Sequence, residues 1–384
     1  MRSVLVVVAM SGGVDSAVAA GLLRQQGHQV VGVTLQLWPE HDAEHSVRHG
    51  GCCGLGAVRD ARAAADRLGI AHYVFEMREA FEQAVIAEFA AAYARGRTPN
   101  PCIACNEHIK FQALAEKARL LGAQALATGH YARIVPGADG RPRLARAVDA
   151  LKDQSYVLYP LRREDLDAVR FPLGQLRKTE VRALARALGL AVADKPDSQE
   201  ICFVGPQGHA AVVGEREPRA VRPGPIVDTD GRVLGTHRGI AHYTVGQRRG
   251  LGLVGPRPFY VVAVDAPRNT VVVGGVSDLA AGGCTVARPH WLVAEPPARG
   301  AAVWVKVRSG AALHPARIVS VDGDALRLGL DPPLRAVTPG QACVLYDGDV
   351  VLGGGEIETV QPAGTASPAQ TELRRTIQAP LASS

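Results

Sequence analysis

The chain of 384 residues has few cysteines, few aromatic residues and no long apolar run. Seven cysteines are too few for a disulfide scaffold, and an odd number that includes the adjacent pair Cys52 and Cys53 indicates a reducing cytoplasm. No stretch reaches the ~18–20 consecutive apolar residues that cross a bilayer, and the apolar run at residues 4–10 is too short for a secretory signal. We therefore expect a soluble, cytoplasmic protein with no membrane partner.

Lysine is also scarce, since only six of the 43 cationic residues are lysines and the others are arginines. The excess of 43 cations over 37 anions gives a net charge of +6. An arginine bias suits bidentate phosphate contacts, although a GC-rich genome produces the same bias, and composition leaves both causes open. With 47% apolar and 21% charged residues the chain is globular, and its length predicts two or three domains.

The first half of the chain alternates strand and helix patterns. A β-branched run at residues 4–8 precedes a helix pattern at 17–24 and a second strand pattern at 29–37. Further patterns predict helices at 57–69, 79–95 and 106–121 and strands at 72–75 and 124–128. This alternation predicts an α/β fold with a doubly wound parallel sheet over residues 1–205.

The second half is rich in Gly, Pro and Val, with short alternating runs at residues 259–264 and 302–307. Such runs, separated by turn signals, predict antiparallel strands. We expect a small central domain at residues 206–284, a C-terminal β-barrel at 285–363 and a loose tail at 364–384.

A glycine-containing loop, AMSGGVDS at residues 9–16, lies between the first strand and the first helix. Two glycines let the backbone approach a ligand closely, and amides at a helix N-terminus attract an anion. The loop has neither the lysine of a Walker motif nor the spacing of a dinucleotide motif. It matches the SGGxDS loop of the ATP pyrophosphatases, in which the Asp is linked to Mg²⁺ or pyrophosphate, a role that Asp15 could take.

Two cysteines stand out by their surroundings. Cys105 lies in TPNPCIACN, where two prolines lead into a predicted helix that Asn106 could cap, and a helix N-terminus lowers a thiol pKa. Cys202 lies in DKPDSQEICF, beside acidic and amide groups. Both could instead be buried packing residues, as we expect for Cys284 and Cys343. A zinc or iron–sulfur site on Cys102, Cys105 and Cys202 is a further alternative.

Taken in order, these motifs closely resemble the tRNA-specific 2-thiouridylases. Four motifs carry the resemblance: the loop at residues 9–16, which we call the phosphate loop, the cysteine in TPNPxxxCN-xxIKF, GHYAR at 129–133 and SQEICF at 198–203. KDQSY at 152–156, FPLG at 171–174 and YTVGQRRGL at 243–251 add to it. The resemblance covers residues 4–360 and implies an adenine nucleotide alpha hydrolase-like catalytic domain.

The resemblance implies that ATP adenylates the C2 oxygen of the wobble uridine in tRNA and that a persulfide then supplies sulfur. Cys202 would carry the persulfide and Cys105 would be the nucleophile, so that a disulfide between them results; a cysteine desulfurase or relay protein would donate the sulfur. Asp15 completes the expected catalytic set. The expected ATP contacts, with Mg²⁺, are Ala9, Met10, Ser11, Gly12, Gly13, Val14, Asp15, Ser16, Leu35 and Gly129. The expected tRNA contacts are Asn100, Pro101, Cys102, Lys152, Asp153, Gln154, Arg248 and Arg249.

Many members of that family carry Asp where this chain has Cys102. The extra thiol favours the cluster alternative and leaves the role of Cys52 and Cys53 open. Arg177, Lys178 and Arg182 either extend a basic RNA-binding track or form a solvated helix face. Two other functions remain: an adenylating ligase of the same loop class, which needs no paired cysteines, and a non-enzymatic RNA-binding or metal-storage protein, which needs no phosphate loop.

Overall fold

The apolar run near the N-terminus forms a buried central strand, as its β-branched residues predict. In this computed structural model, residues 3–37, 55–197 and 201–364 are described. The predictions for Cys52 and Cys53, for residues 198–200 and for nearly all of the tail lie outside these residues. The chain divides into two compact units: residues 1–86, 101–205 and 349–351 form the first, and residues 87–100, 206–348 and 352–384 the second.

The first unit contains a five-stranded parallel sheet with the order β3-β2-β1-β4-β7. The strands are β1 (Leu5–Ala9), β2 (Gln29–Gln36), β3 (Ala71–Glu76), β4 (Ala125–Thr128) and β7 (Val169–Arg170). Because the chain moves outward from β1 to β3 and then returns to the other side of β1, a crevice opens between the carboxyl ends of β1 and β4. This order confirms the predicted doubly wound α/β fold.

Helices cover this sheet and bury an alanine-rich core that includes Ala17, Ala61 and Ala185. The α-helices of this unit are Val14–Gln25, Leu55–Leu68, Arg78–Phe81, Pro101–Ala104, Ala115–Leu120 and Lys178–Ala187, and the helix Glu88–Ala94 belongs to the second unit. Two π-helical segments, Glu82–Ala87 and Cys105–Leu114, continue the helices on either side of them, and Ser155–Leu158 and Arg163–Ala168 are 3₁₀ turns. A hairpin of β5 (Ala132–Pro136) and β6 (Pro142–Arg146) completes the unit, and Val350 pairs with Ala145.

The second unit begins with a four-stranded sheet of order β10-β11-β8-β9. Its strands are β8 (Gly224–Val227), β9 (Val233–His237), β10 (Tyr260–Asp265) and β11 (Thr270–Gly274). The α-helix His209–Arg216 and the 3₁₀ turns Pro218–Val221, Ile240–His242 and Val276–Leu279 accompany it.

A closed antiparallel barrel follows, as the alternating runs predict. Its strands are β12 (Ala280–Trp291), β13 (Ala302–Lys306), β14 (His314–Asp322), β15 (Ala325–Arg335), β16 (Ala342–Asp347) and β17 (Val350–Pro362). Pairing of β12 with both β15 and β17 closes the barrel around an apolar interior. The expected boundary between residues 284 and 285 falls inside β12. Within the described ranges, no helix has the length and apolar character needed to span a membrane.

Candidate active site

The phosphate loop follows β1 and enters the helix Val14–Gln25. Gly12 has φ +68°, and a Cβ there would lie 2.2 Å from Ala57 O, so only glycine fits. The Ser16 hydroxyl accepts a hydrogen bond from Ser11 N at 3.1 Å and lies 3.2 Å from Gly13 O, to which it donates. These bonds hold the loop in shape, with its amides at the start of a helix, where a phosphate group is favoured.

Gly129 lies directly against this loop, and its contact with ATP stays a prediction. A Cβ on Gly129 would lie 2.6 Å from Ser16 N and 2.8 Å from Asp15 C. The approach follows from the sheet order, because Gly129 comes immediately after β4 and the loop immediately after β1. Leu35, the other predicted ATP residue outside the loop, is buried on β2 and pairs with Phe75 of β3.

Asp15 is surrounded by side chains from two other segments. Tyr131 Oη donates to Asp15 Oδ1 at 2.8 Å, and Lys178 Nζ lies 2.8 Å from both carboxylate oxygens. Burial, followed by the charge of Asp15, raises the pKa of Tyr131, so it remains a protonated donor. The carboxylate of Asp15 and the ammonium of Lys178 therefore form a pair beside the loop amides that would bind a phosphate group.

The sequence left Lys178 either in a basic RNA-binding track or on a solvated helix face, and did not indicate its place beside Asp15. In the structure Lys178 Nζ also lies 2.8 Å from Asp197 Oδ1, and Arg182 Nη2 lies 3.2 Å from the same atom. Both cations are therefore engaged in ion pairs. The scarcity of lysine could have indicated this group of charged residues, because Lys152, Lys178 and Lys195 are three of only six lysines in the chain.

The KDQSY segment lies beside Tyr131. Gln154 exchanges two hydrogen bonds with the Tyr131 backbone, at 2.8 and 2.9 Å. The Asp153 side chain has no exposed surface and accepts bonds from Ala147 N and Ser155 N. The buried side chain holds this turn, and the contact of Asp153 with tRNA stays a prediction. Lys152 is 40% exposed and pairs with Asp197 at 2.7 Å.

Cys105 lies within a helix, not at its first residue. The helix begins at Pro101, so Cys102 is in the first turn and Cys105 begins the π-helical segment. The prediction that Asn106 caps the helix is wrong: Asn106 is buried, donates to Val157 O at 2.9 Å and accepts from Lys110 Nζ at 2.9 Å. Cys102 is exposed and Cys105 half-buried, and both are thiols outside any disulfide.

The helical segment Cys105–Leu114 packs through Phe111 against residues that directly follow β4 and β7 of the sheet. The Phe111 ring lies 6.2 Å from His130 and 6.1 Å from Phe171 between centroids. Burial, helped by the charge of Lys110, holds the pKa of His130 well below its usual value, so the ring is neutral at pH 7. Since His130 follows Gly129, these contacts connect the Cys105 helix to the segment that touches the phosphate loop.

Cys202 is a half-buried thiol in the same unit. Phe203 meets Phe81 edge-on with ring centroids 6.0 Å apart, and the helix Arg78–Phe81 packs against the segment Cys105–Leu114. The two cysteine segments therefore share one neighbouring helix. Among the described residues, no three His, Cys, Asp or Glu side chains form a group that could hold a metal ion. The donor set of Cys102, Cys105 and Cys202 is thus not assembled as a cluster site.

Arg248 and Arg249, the predicted tRNA contacts of the second unit, are both exposed. Gln247 fixes the turn before them: its side chain accepts from Thr244 N at 3.1 Å and donates to Arg249 O at 3.0 Å. Its backbone oxygen accepts from Val261 N at 2.9 Å. The turn therefore presents two adjacent guanidinium groups to solvent.

Comparison with protein families gives three consecutive matches. The model of the tRNA methyl transferase HUP domain matches residues 4–206, that of the tRNA methyl transferase PRC-barrel domain residues 216–275, and that of the aminomethyltransferase beta-barrel domain residues 281–357. A solved 4-thiouridine synthetase–RNA complex with bound ATP is 18% identical with a TM-score of 0.31, over 56% of this chain and 50% of that one.

Curated relatives match nearly the whole chain. The tRNA-specific 2-thiouridylase MnmA of Symbiobacterium thermophilum is 49% identical over 92% of this chain and 92% of its own. The protein of the same name in Methylobacterium radiotolerans is 51% identical over 92% of this chain and 94% of its own. These matches confirm the resemblance carried by the loop and the cysteine motifs, and the chain belongs to the tRNA-specific 2-thiouridylase family.

Proposed function

We propose that this chain is a tRNA sulfurtransferase that replaces the C2 oxygen of the wobble uridine with sulfur at the expense of ATP. Its membership of the 2-thiouridylase family carries the proposal. The site supports it, because a phosphate loop and two accessible cysteine segments belong to one unit. An adenylating ligase of the same loop class would have no need of that cysteine pair.

ATP activates the base in the first step. The C2 oxygen attacks the α-phosphorus, the bond to the β-phosphate breaks, and pyrophosphate leaves, so that C2 carries an adenylate. The loop residues 9–16, Gly129 and the ammonium of Lys178 bind the phosphates, while Leu35 lies on the strand beside the loop. Activation is needed because a carbonyl oxygen is a poor leaving group, whereas AMP is a good one.

Sulfur transfer follows through the cysteines. The terminal sulfur of a persulfide on Cys202 attacks C2 and AMP leaves. The Cys105 thiolate then attacks the Cys202 sulfur, which releases thiouridine and leaves a Cys105–Cys202 disulfide. Alternatively, Cys105 attacks the persulfide first and releases hydrosulfide, which itself attacks C2. Either route ends in the same disulfide, which a thiol reductant must reopen.

Mg²⁺ would accompany ATP and neutralise charge on its phosphates. The oxygen donors of the loop fit this ion, because Asp15 offers a carboxylate and Ser11 and Ser16 offer hydroxyls. Asp15 would hold the ion. An iron–sulfur cluster on Cys102, Cys105 and Cys202 is not favoured, because these donors do not form a group.

Substrate binding is assigned to both units. Asn100, Pro101 and Cys102 would lie near the target nucleotide. The residues that would contact the rest of the tRNA are Lys152, Asp153, Gln154, Arg248 and Arg249. We assign adenylation to residues 1–205, tRNA contact to 206–284 and the barrel to 285–363. A cysteine desulfurase or a relay protein would load Cys202, and a reaction that needs reduced thiols would favour the cytoplasm as its location.

Three cysteine variants test the mechanism. Cys105→Ser and Cys202→Ser should each reduce 2-thiouridine formation to background while binding tRNA as the unmodified protein does, because only sulfur handling is removed. Nucleoside mass spectrometry measures the product, and filter binding measures tRNA affinity.

Cys102→Ser is the matched control, since this thiol is on the same helix and is more exposed. Because Cys102 takes no part in sulfur transfer under the persulfide mechanism, this variant should lower thiolation only as far as it weakens tRNA binding in the same filter-binding assay. Thiolation that persists in Cys105→Ser or Cys202→Ser contradicts the proposal, and loss in all three variants together with bound iron would favour the cluster alternative.

A further inference from the structure

The peptide group that joins Met10 to Ser11, near the start of the phosphate loop, is held at both ends. Its oxygen, Met10 O, accepts a hydrogen bond from Thr34 Oγ1 at 2.7 Å. Its N–H group, that of Ser11, donates to Ser16 Oγ at 3.1 Å. A planar trans peptide directs its oxygen and its hydrogen to opposite sides. The two bonds together therefore fix the orientation of this peptide at the point where the backbone leaves β1 and enters the loop.

Thr34 holds Met10 one residue beyond the end of the paired strands. β1 and β2 pair in parallel as far as Ala9 and Val33, and Met10 N still donates to Val33 O at 2.8 Å. The Thr34 side chain, which is only 1% exposed, then supplies the bond to Met10 O. A hydroxyl group of β2 thus extends the connection between the two strands into the loop.

His72 of the neighbouring strand β3 donates to this hydroxyl. Its Nε2 atom lies 2.9 Å from Thr34 Oγ1. A hydroxyl has one hydrogen, and Thr34 uses it for Met10 O, which can only accept, so Nε2 must carry the hydrogen of the second bond. Among the described residues, the buried Nδ1 atom of His72 has no hydrogen-bond partner, which favours the neutral ring. Burial, followed by the charge of Arg62, lowers the pKa of His72 and has the same effect.

Gly32 leaves the space that this arrangement needs. It is on β2 and pairs with His72, and a Cβ there would lie 2.5 Å from Met10 Sδ and 3.2 Å from His72 Cδ2. The Met10 side chain and the His72 ring therefore both pack over this glycine. Their close packing restricts the ring whose Nε2 atom bonds to Thr34.

The bonds form one series in which every donor points in the same direction, from β3 through β2 into the loop. The members of the series, in order, are His72, Thr34, the Met10–Ser11 peptide, Ser16 and Gly13 O. The direction is fixed, because a backbone N–H can only donate and a carbonyl oxygen can only accept. Hydrogen bonds aligned in this way polarise one another, so the loss of one bond weakens the others.

We propose that Thr34 and His72 are positioning residues for the phosphate loop, which act through the Met10–Ser11 peptide to hold the loop amides where they receive the phosphates of ATP. Neither side chain touches the substrate in this role. The inference deepens the proposed function and rests on it in taking the loop as the nucleotide site. Loss of the series should weaken nucleotide binding and leave tRNA binding unchanged, because amides that are already oriented need no ordering when the anion binds.

Thr34→Val tests the hydroxyl, since valine has nearly the same shape but cannot donate. Calorimetric titration with a non-hydrolysable ATP analogue and Mg²⁺ should show binding that is about three- to tenfold weaker, the usual range for one hydrogen bond. In the thiolation assay the KM for ATP should rise by a similar factor, whereas the KM for tRNA should not change. Thr34→Ser keeps the hydroxyl and should bind the analogue as the unmodified chain does.

Thr338→Val is the matched control. It also removes a buried threonine hydroxyl that donates to a backbone oxygen, since Thr338 Oγ1 donates to Ala336 O at 3.0 Å in the second unit. This variant should bind the analogue with unchanged affinity.

His72→Phe and His72→Gln test the other end of the series and do so even if Thr34→Val fails to fold. The phenylalanine ring cannot donate to Thr34, so binding of the analogue should weaken by about two- to threefold. A glutamine amide can donate in place of Nε2, so His72→Gln should bind more tightly than His72→Phe. In a chain that already carries Thr34→Val, adding His72→Phe should have no further effect, because His72 acts through Thr34.

Unchanged analogue binding in Thr34→Val or in His72→Phe overturns the inference, as does equal weakening in Thr34→Ser and Thr34→Val. Additive effects of Thr34→Val and His72→Phe overturn the series, since independent contacts would add. Absence of analogue binding to the unmodified chain overturns both this inference and the proposed use of ATP. Thiolation that survives Cys202→Ser, together with weakened analogue binding in Thr34→Val, overturns only the proposed sulfur carrier.

Discussion

The two units use the same reactive residue types in opposite ways. In the first unit Cys102, Cys105 and Cys202 are exposed or half-buried, whereas Cys284 and Cys343 of the second unit are fully buried in the barrel core. Lysines differ likewise: Lys178 of the first unit joins two carboxylates, while Lys306 of the second is 5% exposed and lies over the Tyr346 ring at 5.8 Å. Surroundings, rather than residue type, decide which thiols and ammonium groups are available for chemistry.

Thiol labelling gives the largest expected difference between the units. Iodoacetamide should modify Cys102, Cys105 and Cys202 in the native protein at least about a hundredfold faster than Cys284 and Cys343, because a buried thiol reacts only when the core opens. The hydrogen bond with Cys284, together with burial, also raises the pKa of Cys343 and so lowers its thiolate fraction. Peptide mass spectrometry measures the rates. As a control, these five cysteines should be labelled at equal rates in urea. Rapid labelling of Cys284 or Cys343 in the native protein would contradict the predicted difference between the units.

A methyl group added at Gly129, where the first sheet meets the phosphate loop, should have the next largest effect, a loss of thiolation activity. Gly129→Ala places a Cβ 2.6 Å from Ser16 N, so the loop must move. Thiolation should fall about ten- to a hundredfold, as for other small displacements of a reacting group. Gly310→Ala in the second unit is the matched control, since its Cβ would meet no atom within 4 Å. Activity of Gly129→Ala equal to that of Gly310→Ala would show that the close approach is not needed.

The smallest expected effect is a pH dependence in the second unit. Buried His237 donates from Nε2 to Asn269 O at 2.8 Å and accepts at Nδ1 from Gly239 N at 3.0 Å, so its ring must be neutral. Burial lowers the pKa of His237 below its ordinary value of 6.5. Below pH 6.5 the unfolded chain therefore binds a proton that the folded chain does not, and stability falls as the pH decreases.

Thermal unfolding between pH 7.5 and 5.5 measures this effect. His237→Gln should lower the melting temperature at pH 7.5 and flatten its decline toward pH 5.5, because the amide does not titrate. His108→Gln is the control, since the His108 side chain is 42% exposed on a helix of the first unit, with its Nδ1 atom 3.2 Å from Gln112 Oε1. An unchanged slope in His237→Gln would mean that other groups cause the pH dependence.

Much of the fold was predictable because its signals are local. The β-branched runs identified β1 and β2, and the loop motif required a strand before it and a helix after it. Asn106 shows the limit of such reasoning. Its position before an apolar run suggests a cap, but the helix starts earlier, at Pro101, and the buried amide bonds to Val157 O, 51 residues away. A local pattern carries no information about that partner.

The sequence by itself determined the family, the phosphate loop and the two cysteine motifs, because each depends on residues close together in the chain. Only the tertiary structure decided that Gly129 touches the loop, that Lys178 bridges Asp15 and Asp197, and that Asp153 is buried. These contacts join segments separated by 19 to 163 residues or depend on packing around them. The sheet order β3-β2-β1-β4-β7 brings together the ends of strands that are distant in sequence, and this order creates the site.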